Sequence, residues 1–196
     1  MSNTRSEGLF EEFCRLNLLN CTRVSAGPEK TPDYMLVLGT TSVAVEIKQI
    51  ESMEGFNRGG VSSRTVGKHV RNQITEARKQ LQSAARFGLP AILLVHNTVD
   101  PVQLFGTEQH DFICAMYGEL TVSIRKCDGA VGETFQGRNA KLRHDTNTSF
   151  SGVGHLRQLR NGAAITVYEN VYAAHPLPFQ EIPPCIEVVR VKVEHA

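Results

Sequence analysis

The sequence contains no apolar run long enough to cross a membrane as a helix, which needs about 20 residues, so no membrane partner is expected. Its first residues, MSNTRSEGLFEEF, lack the basic-then-apolar layout of a signal peptide. No Cys-x-x-Cys occurs. The five cysteines, Cys14, Cys21, Cys114, Cys127 and Cys185, are odd in number and scattered, which argues against a zinc knuckle or redox motif. Reduced thiols in a cytoplasmic setting are the expectation. An excess of one charge is also missing. The formal net charge is +1, so a case for nucleic acid has to come from clustering of Lys and Arg.

Several chemistries are excluded by their missing signatures. No His-x-x-x-His or His-Glu-x-x-His spacing puts two ligands on one helical face. No Gly-x-Ser-x-Gly elbow is present, and Gly152-x-Gly154 stands in no Walker or Rossmann context. Neither internal repeats nor low-complexity linkers interrupt the 196 residues, so one domain is expected over 1–196. A hydrophobic fraction of 41% and a charged fraction of 21% are those of a soluble globular chain.

What is present centres on 32–50, PDYMLVLGTTSVAVEIKQI. It reads as two strands joined at Gly39. Side chains on a strand alternate between faces, so Glu46 and Lys48 share one face with Ala44, while Val43, Val45 and Ile47 take the other. A two-residue Gly39-Thr40 turn, with glycine first as type II′ requires, sets Leu38 opposite Thr41 and Asp33 opposite Glu46. A four-residue loop preserves this register and a three-residue loop shifts it. Opposed Cβ atoms lie about 5 Å apart. Facing carboxylates resist ionisation together unless a cation sits between them. A hard divalent ion, Mg²⁺ or Mn²⁺, suits oxygen ligands of this kind. Lys48, two residues on, is placed to orient a metal-bound water or balance phosphate charge. The chemistry expected is metal-assisted hydrolysis of a phosphodiester.

Pro32-Asp33 followed, after a hairpin, by Glu46-Ile47-Lys48 resembles the PD-(D/E)XK nuclease superfamily, the restriction-endonuclease-like fold. The likeness covers about 7–98. It implies an α/β fold with a mixed central sheet flanked by helices, and a Mg²⁺-dependent nuclease acting on nucleic acid, DNA first. Asp33, Glu46 and the Ile47 carbonyl would be metal ligands, and Lys48 would position the nucleophile. A glutamate from the preceding helix often joins such sites. On the helix read over 6–17, with Ser6 as N-cap, Leu9, Phe10, Phe13 and Leu16 form the apolar stripe, and Glu12 at its edge is the candidate. Such nucleases commonly act as dimers, so a homodimer is an open expectation. The rival reading is a catalytically inactive member serving as a nucleic-acid-binding or assembly module.

Around this centre, 18–26 reads as a strand and 27–31 as a turn. The glycine-containing 51–67 reads as a loop carrying Arg58 and Arg64. The stretch 68–87 is a helix with Val70, Ile74, Ala77, Leu81 and Ala84 on its stripe. Lys68, Arg71, Arg78, Lys79 and Arg86 lie off that stripe as a basic face. Arg58, Arg64, Lys68 and Arg71 are the candidate phosphate contacts. Gln73, at the stripe's edge, is a candidate to support the metal site. The run 91–96 reads as a buried strand whose His96 and Asn97 end near the site. Further on, 101–106 reads as a short helical or turn segment, 112–117 as a strand or short helix, and 120–125 as a strand. Then 131–152 reads as a polar loop carrying Arg138, Lys141 and Arg143, and 155–160 as a helical turn. Strands over 163–172 and 186–193 complete the sheet, the last with a bulge at Val188-Val189.

Overall fold

A glycine with φ of +56° at Gly39 is the pivot on which the central hairpin turns. Only glycine adopts such a φ freely, and Thr40 after it keeps negative φ, as a type II′ turn requires. The computed structural model describes residues 4–25, 27, 30–51, 65–99 and 108–192. Strand β2 (Tyr34–Leu38) and strand β3 (Thr41–Ile50) pair antiparallel with Leu38 opposite Thr41 and Tyr34 opposite Val45, the register expected from the turn. The carboxylate of Glu181, in a 3-10 turn at Phe179–Glu181, accepts the Thr40 and Thr41 N–H groups at 2.6 and 3.0 Å and so ties a distant segment to the hairpin.

Strand β1 (Asn20–Arg23) lies antiparallel to β2 on the outer side. On the inner side β4 (Ala91–Asn97), buried throughout, runs parallel to β3 with Glu46 opposite Leu93 and Lys48 opposite Val95. The antiparallel pair β7 (Gly152–Leu159) and β8 (Gly162–Glu169) follows, with β7 parallel to β4, and β9 (Ile186–Val189) closes the seven-stranded mixed sheet. Strands β5 (Leu120–Ile124) and β6 (Val131–Gln136) form a separate two-stranded sheet.

Alternation along these strands sorts two cores. Helix α1 (Arg5–Leu16) packs Leu9, Phe10 and Phe13 on one face, against Val43, Val45, Ile47, Ile92, Leu94 and Leu156. Helices α2 (Lys68–Ala85) and α3 (Glu108–Tyr117) cover the other face, where Val70, Ile74, Leu81, Phe112 and Met116 meet Ala44, Leu93, Val95, Val153 and Tyr168. The architecture is therefore α/β, a mixed sheet flanked by helices, as expected.

Local boundaries differ from the sequence reading in instructive places. Thr4, not Ser6, caps α1: its side chain accepts from Glu7 N while the Glu7 carboxylate takes Thr4 N at 2.7 Å, a reciprocal capping box. The stretch 155–160 is not a helical turn but the outer part of β7, whose polar Arg157 and Gln158 run past the edge of the buried pairing. The expected loop after 131 contains β6, and 112–117 is the second half of α3. Strand β9 pairs with β8 without a bulge over its four residues. The short helical or turn segment read at 101–106 lies outside the described residues.

Gly67 shows how tightly the helical layer is assembled. It has φ of +72°, its N–H donates to Asp111 Oδ1 at 2.7 Å, and a Cβ there would stand 2.8 Å from the Asp111 carbonyl oxygen. Gly88 has the same handedness, φ +73°, with open space around it. We expect Gly88→Ala to cost about 1 kcal/mol, the left-handed backbone penalty alone. Gly67→Ala should cost about 3 kcal/mol or more, because a backbone collision is added. Urea unfolding of the two variants measures the difference; equal costs would remove the close approach from the account.

Candidate active site

Asp33 sits immediately before β2, where that strand stops short and leaves β3 to run on. Its Oδ2 accepts the Ile47 N–H at 2.8 Å. The Ala44 N–H bonds to Pro90 O, on the β4 side. Even-numbered residues of β3 therefore turn their backbone groups to β4 and odd-numbered ones to β2. In an extended strand a residue's N–H and C=O leave on the same side, so the Ile47 carbonyl also faces the gap where β2 has ended. Glu46 and Lys48 project from the same face of β3, with Lys48 Nζ 2.7 Å from Glu46 Oε1. The structure thus brings Asp33, Glu46, Lys48 and the Ile47 backbone to one place.

Burial dominates the electrostatics. Glu46 is 1% exposed, and its Oε2 is buried without meeting a donor. Desolvation, then the adjacent Asp33 charge, pushes its pKa up to about 7, with Lys48 opposing. The Asp33 and Glu46 carboxyls hydrogen-bond to each other only when Glu46 holds a proton. Asp33 itself is raised by burial, against the pull of the Ile47 N–H and Lys48. Burial works against the Lys48 charge as well, yet the bond and charge of Glu46, with Asp33, outweigh it and hold the ammonium above the ordinary lysine value.

Helix α1 brings Glu7, not Glu12, toward these groups. Glu12 is exposed, whereas the Glu7 charge raises Asp33. Glu7 and Arg23 line, with Thr31, Pro32 and Asp33, a cavity of about 670 Å³. Arg23 Nη2 donates to Glu7 Oε1 at 2.9 Å while its side chain stays 39% exposed. The sequence signal for Glu7 was available, because Thr4-x-x-Glu7 has capping-box spacing and fixes which way that carboxylate faces. On α2, Gln73 is half-buried and makes no hydrogen bond to Asp33, Glu46 or Lys48; Glu76 is the α2 group whose charge acts on Lys48.

The other candidates fall elsewhere. Arg71 is 8% exposed, donating to the Val66 carbonyl at 2.7 Å and the Cys114 carbonyl at 3.4 Å, so it fastens α2 to α3 and is not presented to a phosphate. Lys68 is exposed at the start of α2. Arg58 and Arg64 lie outside the described residues. His96 faces the α1 side, opposite Gln49 in the ladder, with Nδ1 at 2.9 Å from Leu156 O. Burial lowers its pKa. Asn97 turns its Oδ1 to the Val99 N–H.

Among the described residues no three His, Cys, Asp or Glu side chains cluster as a metal site. Two carboxylates and a backbone carbonyl, all hard oxygens, could serve as donors, and an ionised Glu46 leaves its Oε2 without a partner. That set fits an ion that keeps several waters, as Mg²⁺ does.

The raised Glu46 pKa makes stability fall with pH. The unfolded chain releases this proton near the ordinary value of 4.5 and the folded chain only near about 7. The contribution is therefore whole below pH 4.5 and lost as pH rises through 7, an effect of about 3 kcal/mol. Glu46→Gln, which offers Asp33 a permanent donor, should match the wild type at pH 4.5 and exceed its stability at pH 8 by up to that amount. Urea unfolding without divalent metal checks this; a variant less stable at pH 8 would mean that the Lys48 pairing outweighs burial.

Set beside known proteins, the chain matches no protein-family model, no curated protein and no solved structure.

Proposed function

We propose that the chain is a divalent-metal-dependent nuclease that hydrolyses phosphodiester bonds, with DNA as the first substrate to test. The observation that supports this reading most is the pair of adjacent carboxylates, Glu46 buried and Asp33 beside it, which bond to each other only through a proton on Glu46. Once that proton is lost, Glu46 Oε2 is an unmatched buried acceptor, at a cost of about 1–3 kcal/mol that a cation would relieve. Asp33, Glu46 and the Ile47 carbonyl would hold Mg²⁺ or Mn²⁺. When bound, that ion supplies Lewis acidity toward the phosphate and an acidified water. Lys48, kept protonated by its carboxylate neighbours, orients the attacking water and offsets charge on the phosphate. Glu7 aims Arg23 along the wall of the cavity, where a guanidinium suits a phosphate oxygen.

A second reading, an inactive nuclease-like fold that binds nucleic acid, draws on the absence of a third metal-ligating side chain among the described residues. Two measurements separate them. Wild-type protein should nick plasmid or degrade single strands with Mg²⁺ or Mn²⁺. Glu46→Gln, Asp33→Ala and Lys48→Ala should each lose about a thousandfold, because metal polarisation contributes several kcal/mol. Mg²⁺ should also raise the melting temperature more at pH 8 than at pH 5, where the ion has to displace the Glu46 proton. Cleavage that survives in all three variants, or a melting temperature indifferent to Mg²⁺ at both pH values, would end the nuclease reading at this site.

A further inference from the structure

Two cavities flank the outer surface of α2. One, of about 340 Å³, is lined by Lys30, Lys79, Gln82, Ser83 and Arg86. The other, of about 480 Å³, shares Gln82 and Arg86 and adds Arg78, Asn147, Thr148, Ser149 and His175, with Asp145 as its acidic member. The two adjoin at Gln82 and Arg86 and are treated together as a groove. Arg78, Gln82 and Arg86 follow at four-residue spacing and Lys79 lies three before Gln82, so a single stripe of α2 supplies the floor.

The chemistry of this groove is that of a polyanion site. Four cations face one carboxylate, and among the described residues none of Lys30, Arg78, Lys79 or Arg86 is ion-paired. Asp145 is occupied with the Thr146 hydroxyl at 2.8 Å. The Ser149 hydroxyl is buried there without a hydrogen-bond partner, an O–H with no protein acceptor to take it. Asn147 Oδ1, an acceptor on the same wall, is likewise buried without a partner, so these two atoms do not choose the sign of a ligand; the four cations without an ion-pair partner among the described residues do.

One short segment, 30–33, borders both this groove and the cavity at the candidate active site. Lys30 lines the groove, and the next residue, Thr31, lines the cavity that holds Asp33, Glu7 and Arg23. From Arg78 to Arg86 the helix rises about 12 Å, enough for two successive phosphates of one strand or a little more.

We propose that this groove carries the sugar-phosphate backbone of the nucleic-acid substrate, leading one strand along α2 and past Lys30 to Asp33. The inference rests on the nuclease reading for what happens at Asp33, but the binding surface is separate from the hydrolytic groups. Contacts of this type read charge and not base sequence. They replace the expected anchoring by Arg71, which the fold uses internally.

Binding is measured in EDTA, so that no cleavage is needed, by anisotropy of a fluorescent single strand and of its duplex across a salt titration. Lys79→Ala/Arg86→Ala should flatten the slope of log affinity against log salt by about two and weaken binding roughly tenfold or more. Lys30→Ala should add to this. Lys126→Ala/Arg160→Ala, exposed cations away from the groove, should leave the slope unchanged. Thermal melts confirm that the variants fold. An unchanged slope in the α2 double variant, or failure of the wild-type protein to bind either oligonucleotide, would overturn the groove. Cleavage by wild-type protein with Mg²⁺, scored separately, tells that failure apart from failure of the nuclease reading. Groove-dependent binding without cleavage would uphold the track and remove the hydrolase.

Discussion

An ionisable carboxylate held inside a sheet is the constraint around which this molecule is arranged. Glu46 points from the middle of β3 into a layer otherwise filled by Ala44, Ile50, Leu93 and Val95. Burying a charged carboxylate without compensation is costly enough that the group keeps its proton near neutrality. Lys48 offsets part of that cost from the same strand, and Asp33 adds to it from the end of the neighbouring one. The fold does not relieve this conflict by local rearrangement, because β3 is fixed on both sides. The two-residue turn at Gly39, clasped by Glu181, sets its register against β2, and the fully buried β4 sets it on the other side.

This explains why so much of the site was legible from residues alone. Period-two alternation and a glycine-first turn are local rules, and together they determine which residues of a hairpin meet. Asp33, Glu46 and Lys48 follow from those rules without knowledge of the rest of the chain. Arg71 does not. It lies next to Val70, just off the helical stripe, and a sequence cannot show that α3 returns to bury it. Glu12 failed for a related reason: a position at the edge of a stripe says little about which strand end the helix crosses. Glu7 was recoverable from the capping spacing, which fixes its carboxylate at the helix start. The run 155–160 misled because its charged tail extends β7 beyond the part that is covered.

Charge sets the terms on which such a site can meet a phosphate. Glu7, Asp33 and Arg23 line the cavity, and behind Asp33 stand the buried Glu46 and its partner Lys48, on which Glu76 also acts. An anionic backbone is repelled by that balance at neutral pH and above, where Glu46 ionises. Under the proposed reading, attraction at the site therefore has to come from a divalent ion, while attraction to the protein as a whole comes from elsewhere.

Under the same reading the α2 groove would provide the second part, and its separation from the carboxylates, whose cavity it shares no lining residue with, is what would make the division workable. Lys and Arg placed among Asp33 and Glu46 would satisfy both carboxylates and leave no reason to bind a metal, as Lys48 already does in part through Glu46 Oε1. Cations spaced over about 12 Å of helix would hold phosphates by charge without lowering the site's demand for an ion. The net charge of +1 hides this separation, because an acidic pocket and a basic groove cancel in the sum. Affinity and hydrolysis would then respond to different perturbations: salt and α2 substitutions act on the first, pH and divalent metal on the second.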